Sequence, residues 1–181
     1  KSGEVRSGYV YAGRLSAEKG VAILLDAWSS LNQPLTIIGD GPMAGDVEAA
    51  ARRNPAIHWA GRQDRDVVLR SMAAARAAIV PSVWYEMFSL SMIEALSMGT
   101  PVIASRIGTP GTVVEDGISG SLFEAGNAVA LRNAVSRFDG RDDLTTLSAN
   151  ARESWRRSFS PEAGLTALLG IYHAIIERKR S

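Results

Sequence analysis

Apolar residues fall in short runs along this chain, and the runs alternate with longer stretches in which they recur at helical spacing. Tyr9 to Ala12, Leu35 to Ile38, Ile57 to Ala60, Ala77 to Val80, Val102 to Ala104 and Gly120 to Phe123 are bounded by Gly, Pro or polar turns. They predict six strands. Between them, Val21, Leu24, Leu25, Trp28 and Leu31 share one helical face, and the turn Gly39-Asp40-Gly41-Pro42 leads into a helical stretch ending at about Arg53. Asp64 to Ala75 reads as helix, with Asp64 suited to the N-cap. Leu90, Ile93 and Leu96 give a further helix closed near Gly99, and Gly108 to Gly111 reads as a loop because Gly and Pro punctuate it. The last third is helical: Asn127 to Phe138, then Leu147, Ala151, Trp155 and Phe159 at four-residue spacing, then a helix from about Pro161. In that final helix Leu165, Leu168, Leu169, Tyr172, Ile175 and Ile176 form one apolar stripe.

Strands that alternate with helices through short loops must run parallel, because parallel neighbours need crossovers. The expected fold is therefore doubly wound α/β: a Rossmann-like, parallel, six-stranded sheet with helices on both faces and additional C-terminal helices, in one domain over residues 1–181. Ligands of such sheets bind beyond the carboxyl ends of the strands, where strand order reverses. For the common order 3-2-1-4-5-6 that place lies between the first and fourth strands, so the loops after those two strands carry the candidate chemistry.

Composition narrows the partners. Apolar residues are 46% and charged residues 22% of 181, which is ordinary for a globular domain and excludes disorder and fibrous repeats. The formal charge of +1, with arginines scattered along the sequence, gives no field for nucleic acid. The absence of cysteine excludes disulfides, thiolate zinc sites and a thiol nucleophile, and makes the cytoplasm the expected compartment. No run approaches the roughly 18 apolar residues of a membrane span, and Lys1 to Arg6 has no signal-peptide core, so a soluble protein without a transmembrane segment is expected. The chain opens on Lys1 with strand-like sequence soon after, and reads as a piece of something longer.

In the loop after the first strand, Gly13 lets the backbone approach a ligand closely, while Arg14 and Lys19 place two cations over one loop. A diphosphate suits them. The loop after the fourth strand, Ser82 to Ser89, leads into a helix that carries Glu94. Backbone N–H groups near Phe88, Ser89 and Leu90 would form that helix's N-terminus, which attracts anions. Glu94 is placed to accept from both hydroxyls of a ribose, and Glu86 to meet the hydroxyls of a sugar. Taken singly, each of these charges also reads as an ordinary surface or helix-face charge; the switch-point position favours binding.

Other patterns are weaker. The glycines from Gly39 to Gly45 approach a dinucleotide fingerprint, but the third comes one residue late and no acidic residue ends the next strand, so a tight turn is expected. Asp64-Arg65-Asp66 matches a D-x-D metal signature, yet capping explains Asp64 and no metal site is expected. His58 and His173 lack ligand spacing and are read as structural. No hydrolase, P-loop or zincin motif occurs.

The stretches YAGRLSAEKGVAILLDAW, LTIIGDGP, EMFSLSMIE, MGTPVIAS and VVEDGISGSLF, with the tail FSPEAGLTALLGIYHAI, together resemble the retaining family-four glycosyltransferases (glycosyl transferases group 1) over nearly the whole chain. Members of that family have the GT-B architecture of two Rossmann-like domains. The resemblance implies that this chain is the C-terminal, donor-binding half. It puts the family's R-x4-K pair, on the donor diphosphate, at Arg14 and Lys19, and its E-x7-E pair at Glu86, near the donor sugar, and Glu94, on the ribose. Arg14, Lys19 and Glu86 would thus be the catalytic residues. Gly61 and Arg62 would line the base, and Gly13, Gly39, Met87, Phe88, Ser89 and Leu90 complete the donor site. Where the family often has Gly this chain has Met87 and Ser89, from which a reshaped sugar pocket with preserved diphosphate binding is expected.

The implied reaction is metal-independent, needs no cofactor, and retains the anomeric configuration. The donor would be a nucleoside-diphosphate sugar, the acceptor a glycan, lipid or small molecule held by an N-terminal domain absent here, and the isolated half would be inactive. Peripheral membrane association of the full-length enzyme is compatible with this. The alternative is a binding module of an inactive or regulatory paralogue, or another GT-B enzyme such as an epimerase.

Overall fold

The computed structural model describes residues 6–180. Six strands, β1 (Tyr9–Ala12), β2 (Leu35–Ile38), β3 (Ile57–Gly61), β4 (Ala77–Val80), β5 (Val102–Ser105) and β6 (Gly120–Phe123), form one parallel sheet in the order β3-β2-β1-β4-β5-β6. The helices are α1 (Val21–Trp28), α2 (Ala44–Arg53), α3 (Arg65–Ala74), α4 (Leu90–Ser97), α5 (Gly108–Val113), α6 (Ala128–Asp139), α7 (Leu144–Phe159) and α8 (Pro161–Arg180). The doubly wound α/β class and the six strands are as the apolar runs predict, and the order is the common one for such sheets.

Alternate side chains of each strand enter two separate cores, which is why the strands read as continuous apolar runs. Tyr9, Tyr11, Leu35, Ile37, Ile79 and Ile103 pack with the buried faces of α1, α2 and α6. Val10, Ile38, Ala78, Val80, Val102 and Ala104 pack on the other side with α3, α4 and α7. Trp28 anchors the first core, fully buried, edge-on to Tyr9 at 5.8 Å, with its Nε1 donating to Gln33 O at 2.9 Å.

Two irregularities shape the carboxyl edge of the sheet. β1 pairs with β4 at two register positions only, Tyr9↔Ala77 and Val10↔Ala78, whereas β1–β2 and β5–β6 pair at four. Beyond Val10 the end of β1 follows β2, and the sheet opens between β1 and β4. Between β2 and β3 the register skips one residue, from Ile37↔Trp59 to Ile38↔Gly61, a bulge that bends the end of β3 just before Arg62.

Two local expectations need correction. Gly108 to Gly111 is not a loop but the start of α5. Pro110 falls in its first turn, where a missing N–H leaves no helical bond unmade. Asp64 occupies the N-cap position of α3, but its side chain makes no capping bond; its backbone carbonyl accepts from Val67 and Val68. Its carboxylate is thus not explained by capping. Among the described residues, no group of three or more His, Asp or Glu side chains is placed to hold a metal ion, and no helix is long and apolar enough to cross a membrane. The apolar stripe of α8 lies in solvent, with Leu165, Leu168, Leu169, Tyr172, Ile175 and Ile176 all exposed.

Candidate functional site

The opening between β1 and β4 leads to a cleft of about 390 Å³ at the carboxyl ends of the strands. Gly13 and Arg14 line it from β1, Gly39 and Asp40 from β2, and Arg62 and Gln63 from β3. Leu90, Ser91 and Glu94 of α4 close the opposite wall. A smaller recess, sharing Gly13 and Ser91 with the cleft, continues beneath it toward Lys19, Ser82 and Glu86. The residues that sequence spacing placed on two separate loops therefore meet in one continuous depression.

The β1–α1 loop is held rigidly by the turn after β2. Gly13 N–H donates to Ile38 O at 3.0 Å and Leu15 N–H to Asp40 O at 2.9 Å, and Met43 N–H returns a bond to Leu15 O at 2.9 Å. Leu15 is fully buried and pins the loop to the core. Gly39 sits so close that a Cβ there would lie 1.9 Å from Gly13 O, and its φ of +141° is one that side-chain-bearing residues rarely adopt. Tyr11 supports the loop from below, its hydroxyl donating to Arg14 O at 2.7 Å. Burial, then the charges of Glu86 and Glu18, push the Tyr11 phenol well above its usual pKa, so it stays a neutral donor. The Arg14 side chain is left exposed at the mouth of the cleft.

The β4–α4 loop brings Glu86 to Lys19. Lys19 Nζ donates to Glu86 Oε1 at 2.8 Å, and Ser82 Oγ donates to the same oxygen. The Glu86 side chain is only 10% exposed, and its second oxygen, Oε2, is buried without a partner. An ammonium carries three donors, so Lys19 can hold Glu86 and still offer hydrogens to an anion. Behind the loop, Thr109 N–H donates to Glu86 O at 2.9 Å and Thr109 Oγ1 to Met87 O at 2.6 Å. This contact needs a glycine at position 108, where a Cβ would lie 2.7 Å from Glu86 O.

Met87 and Phe88 are exposed and do not line the cleft or the recess. Met87 is 88% exposed, and Phe88 meets Phe159 edge-on at 6.4 Å. Ser89 is buried at the N-cap of α4, and Gly61, at a φ of +65°, sets the end of β3 without lining the cleft. No non-glycine residue has positive φ among the described residues, so this backbone makes no demand for glycine at 87 or 89. As at any helix start, the first-turn N–H groups of α4 lack intrahelical acceptors and face anions favourably.

Glu94 lies in the cleft wall on α4 and accepts from Arg65 Nε at 2.9 Å. With side-chain exposures of 72% for Arg65 and 24% for Glu94, this is a surface pair worth at most about 1 kcal/mol, weak enough for a ligand diol to displace. Arg65, Ser82, Asp40 and Thr109 were not singled out by the sequence. Their roles depend on which loops the sheet order makes neighbours.

Comparison with known proteins gives a consistent assignment. The family model described as glycosyl transferases group 1 matches residues 6–138. The chain is 30% identical to a glycosyltransferase of Methanocaldococcus jannaschii over 92% of its own length and 48% of that protein's. It is 32% identical to the glycogen synthase of Mycobacterium tuberculosis, covering 91% of this chain and 42% of that one. Among solved structures, a sucrose-phosphate synthase from Thermosynechococcus elongatus superposes with a TM-score of 0.81 at 29% identity, over 95% of this chain and 46% of that chain. The HepE protein of Anabaena, in complex with UDP, shares the fold with a TM-score of 0.80 at 22% identity, over 95% of this chain and 49% of that one. The chain thus spans about half the length of the curated relatives it matches.

Proposed function

Because the chain belongs to the glycosyl transferases group 1, whose relatives in structure are GT-B glycosyltransferases, we propose that it is the donor-binding half of a retaining enzyme, acting in the cytoplasm, that transfers a sugar from a nucleoside-diphosphate sugar to an acceptor. The observation that carries this reading is the convergence of Gly13, Arg14, the start of α4 and Glu94 on one cleft, with the Lys19–Glu86 pair in the recess beneath. A diphosphate would lie over the β1–α1 loop, between Arg14, Lys19 and the first-turn N–H groups of α4. The ribose would reach Glu94, and the base would lie toward Gly39 and Arg62. The sugar would face Glu86.

In this arrangement the acceptor oxygen attacks the anomeric carbon from the face that the diphosphate leaves. The carbon–oxygen bond to phosphate breaks, and the departing phosphate oxygen takes the acceptor's proton. The protein's part would be to stabilise charge on the leaving diphosphate with Arg14, Lys19 and the N-terminus of α4. The acceptor would be held by a second domain, and cleft closure between the two would exclude water.

Glu94→Gln tests the ribose assignment. The variant is expected to bind the preferred nucleoside diphosphate about ten- to a hundredfold more weakly, while pyrophosphate affinity holds, because only the nucleotide presents a diol. Calorimetry with both ligands decides it, and parallel losses would show that Glu94 acts through general charge.

A transfer assay tests the half-enzyme reading. This chain is expected to bind donor nucleotide but to turn over no sugar, and a version extended by its natural N-terminal partner domain to transfer it. Comparable turnover by both would overturn the division of labour.

A further inference from the structure

The Glu86 carboxylate is held asymmetrically. Oε1 accepts from both Ser82 Oγ and Lys19 Nζ, while Oε2 is buried and unpartnered. A buried carboxylate oxygen with no donor is costly, and a ligand hydroxyl arriving in the recess would relieve that cost. The two donors on Oε1 differ in permanence. Lys19 is 36% exposed on a long flexible stem and is the cation that a diphosphate would attract. Ser82 is 2% exposed and leaves the end of β4 directly after Pro81, whose carbonyl is packed against Gly20. When Lys19 shares its hydrogens between Glu86 and phosphate, Ser82 is the donor that serves Glu86 alone.

Resting on the reading above, we propose that Ser82 is a positioning residue for sugar recognition: it holds Oε1 of Glu86 so that Oε2 stays directed at a donor-sugar hydroxyl while Lys19 serves the diphosphate. Sugar and nucleotide recognition then depend on different residues and can be separated by experiment. Ser82 touches neither ligand part itself and should affect only the sugar increment.

The test is calorimetric binding to this chain of uridine, guanosine and adenosine diphosphates, followed by the glucose and mannose conjugates of the nucleotide that binds. Ser82→Ala is expected to leave the nucleoside-diphosphate affinity unchanged and to weaken the sugar conjugate about tenfold. Ser82→Thr, which keeps the hydroxyl, is expected to restore it, with thermal midpoints confirming that both variants fold. In a double-mutant cycle with Glu86→Ala, the two losses should not add, since Ser82 acts only through the carboxylate that Glu86→Ala removes. Equal weakening of nucleotide and conjugate, or an unchanged conjugate affinity in Ser82→Ala, overturns the proposal. No binding of any nucleoside diphosphate by the unmodified chain would instead overturn the functional reading, and the role of Ser82 with it.

Discussion

Replacing Lys19 by alanine is expected to weaken nucleoside-diphosphate binding about a hundredfold, the upper end of what one charge-assisted hydrogen bond is worth. Two losses combine. The phosphate forfeits a cation, and Glu86, nine-tenths buried, loses the ammonium at 2.8 Å that balances it. An uncompensated buried carboxylate next to the phosphate subsite then repels the ligand. Lys19→Arg should recover only part of the affinity, because a planar guanidinium cannot reproduce a point charge shared between Glu86 and phosphate. Arg14→Ala should cost less, since Arg14 is exposed and neutralises no buried partner. Titration of the three variants with nucleoside diphosphate checks the order; an unaltered affinity in Lys19→Ala would move the diphosphate off this loop.

Gly39→Ala is expected to cost about 3 kcal/mol of stability and to abolish nucleotide binding. A φ of +141° is unfavourable for alanine, and the added Cβ would stand 1.9 Å from Gly13 O, so the β1–α1 loop must move. Backbone strain of about 1–3 kcal/mol and overpacking of similar size combine at this one position. Gly13 would lose its bond to Ile38 O as the loop shifts, and Arg14 would leave the mouth of the cleft. Gly45→Ala is the control, since nothing lies within 4 Å of a Cβ there and it sits inside α2. Chemical denaturation of both variants is the measurement. Equal stabilities would show that the turn after β2 is not what holds the β1–α1 loop.

These two positions mark what sequence alone can show. The six strands were legible because each is a short apolar run flanked by turn residues, and their parallel order followed from the alternation with helices. Which side chain of a strand enters which core was not, since both faces are buried and the pattern carries no polar phase. α5 was missed because proline in a first turn reads as punctuation. Arg14, Lys19, Glu86 and Glu94 were legible as residue types near a switch point. Their partners were not: Lys19 meets Glu86 across 67 positions and Arg65 meets Glu94 across 29, distances that only the sheet order closes. Ser82 opened the flagged loop but gave no signal of its own, being a small polar residue beside a proline. Met87 and Ser89 stand where glycine is common, and the backbone around them needs no positive φ, which places one in solvent and the other at a helix cap without strain.

The short pairing between β1 and β4 has a thermodynamic side. Tyr9↔Ala77 and Val10↔Ala78 are the register positions that join the β1–β3 half of the sheet to the β4–β6 half, fewer than at any other strand pair among the described residues. A donor lying over the loops that follow β1 and β4 would act as a cross-brace between the halves. By mass action, a ligand at a hundred times its Kd adds about 2.7 kcal/mol to the folded state, a large share of the roughly 5–15 kcal/mol that keeps a domain folded. Amide exchange in β1 and β4 would slow accordingly in the presence of donor. Occupancy of the proposed site would then bear on how long the folded chain survives as well as on what it binds.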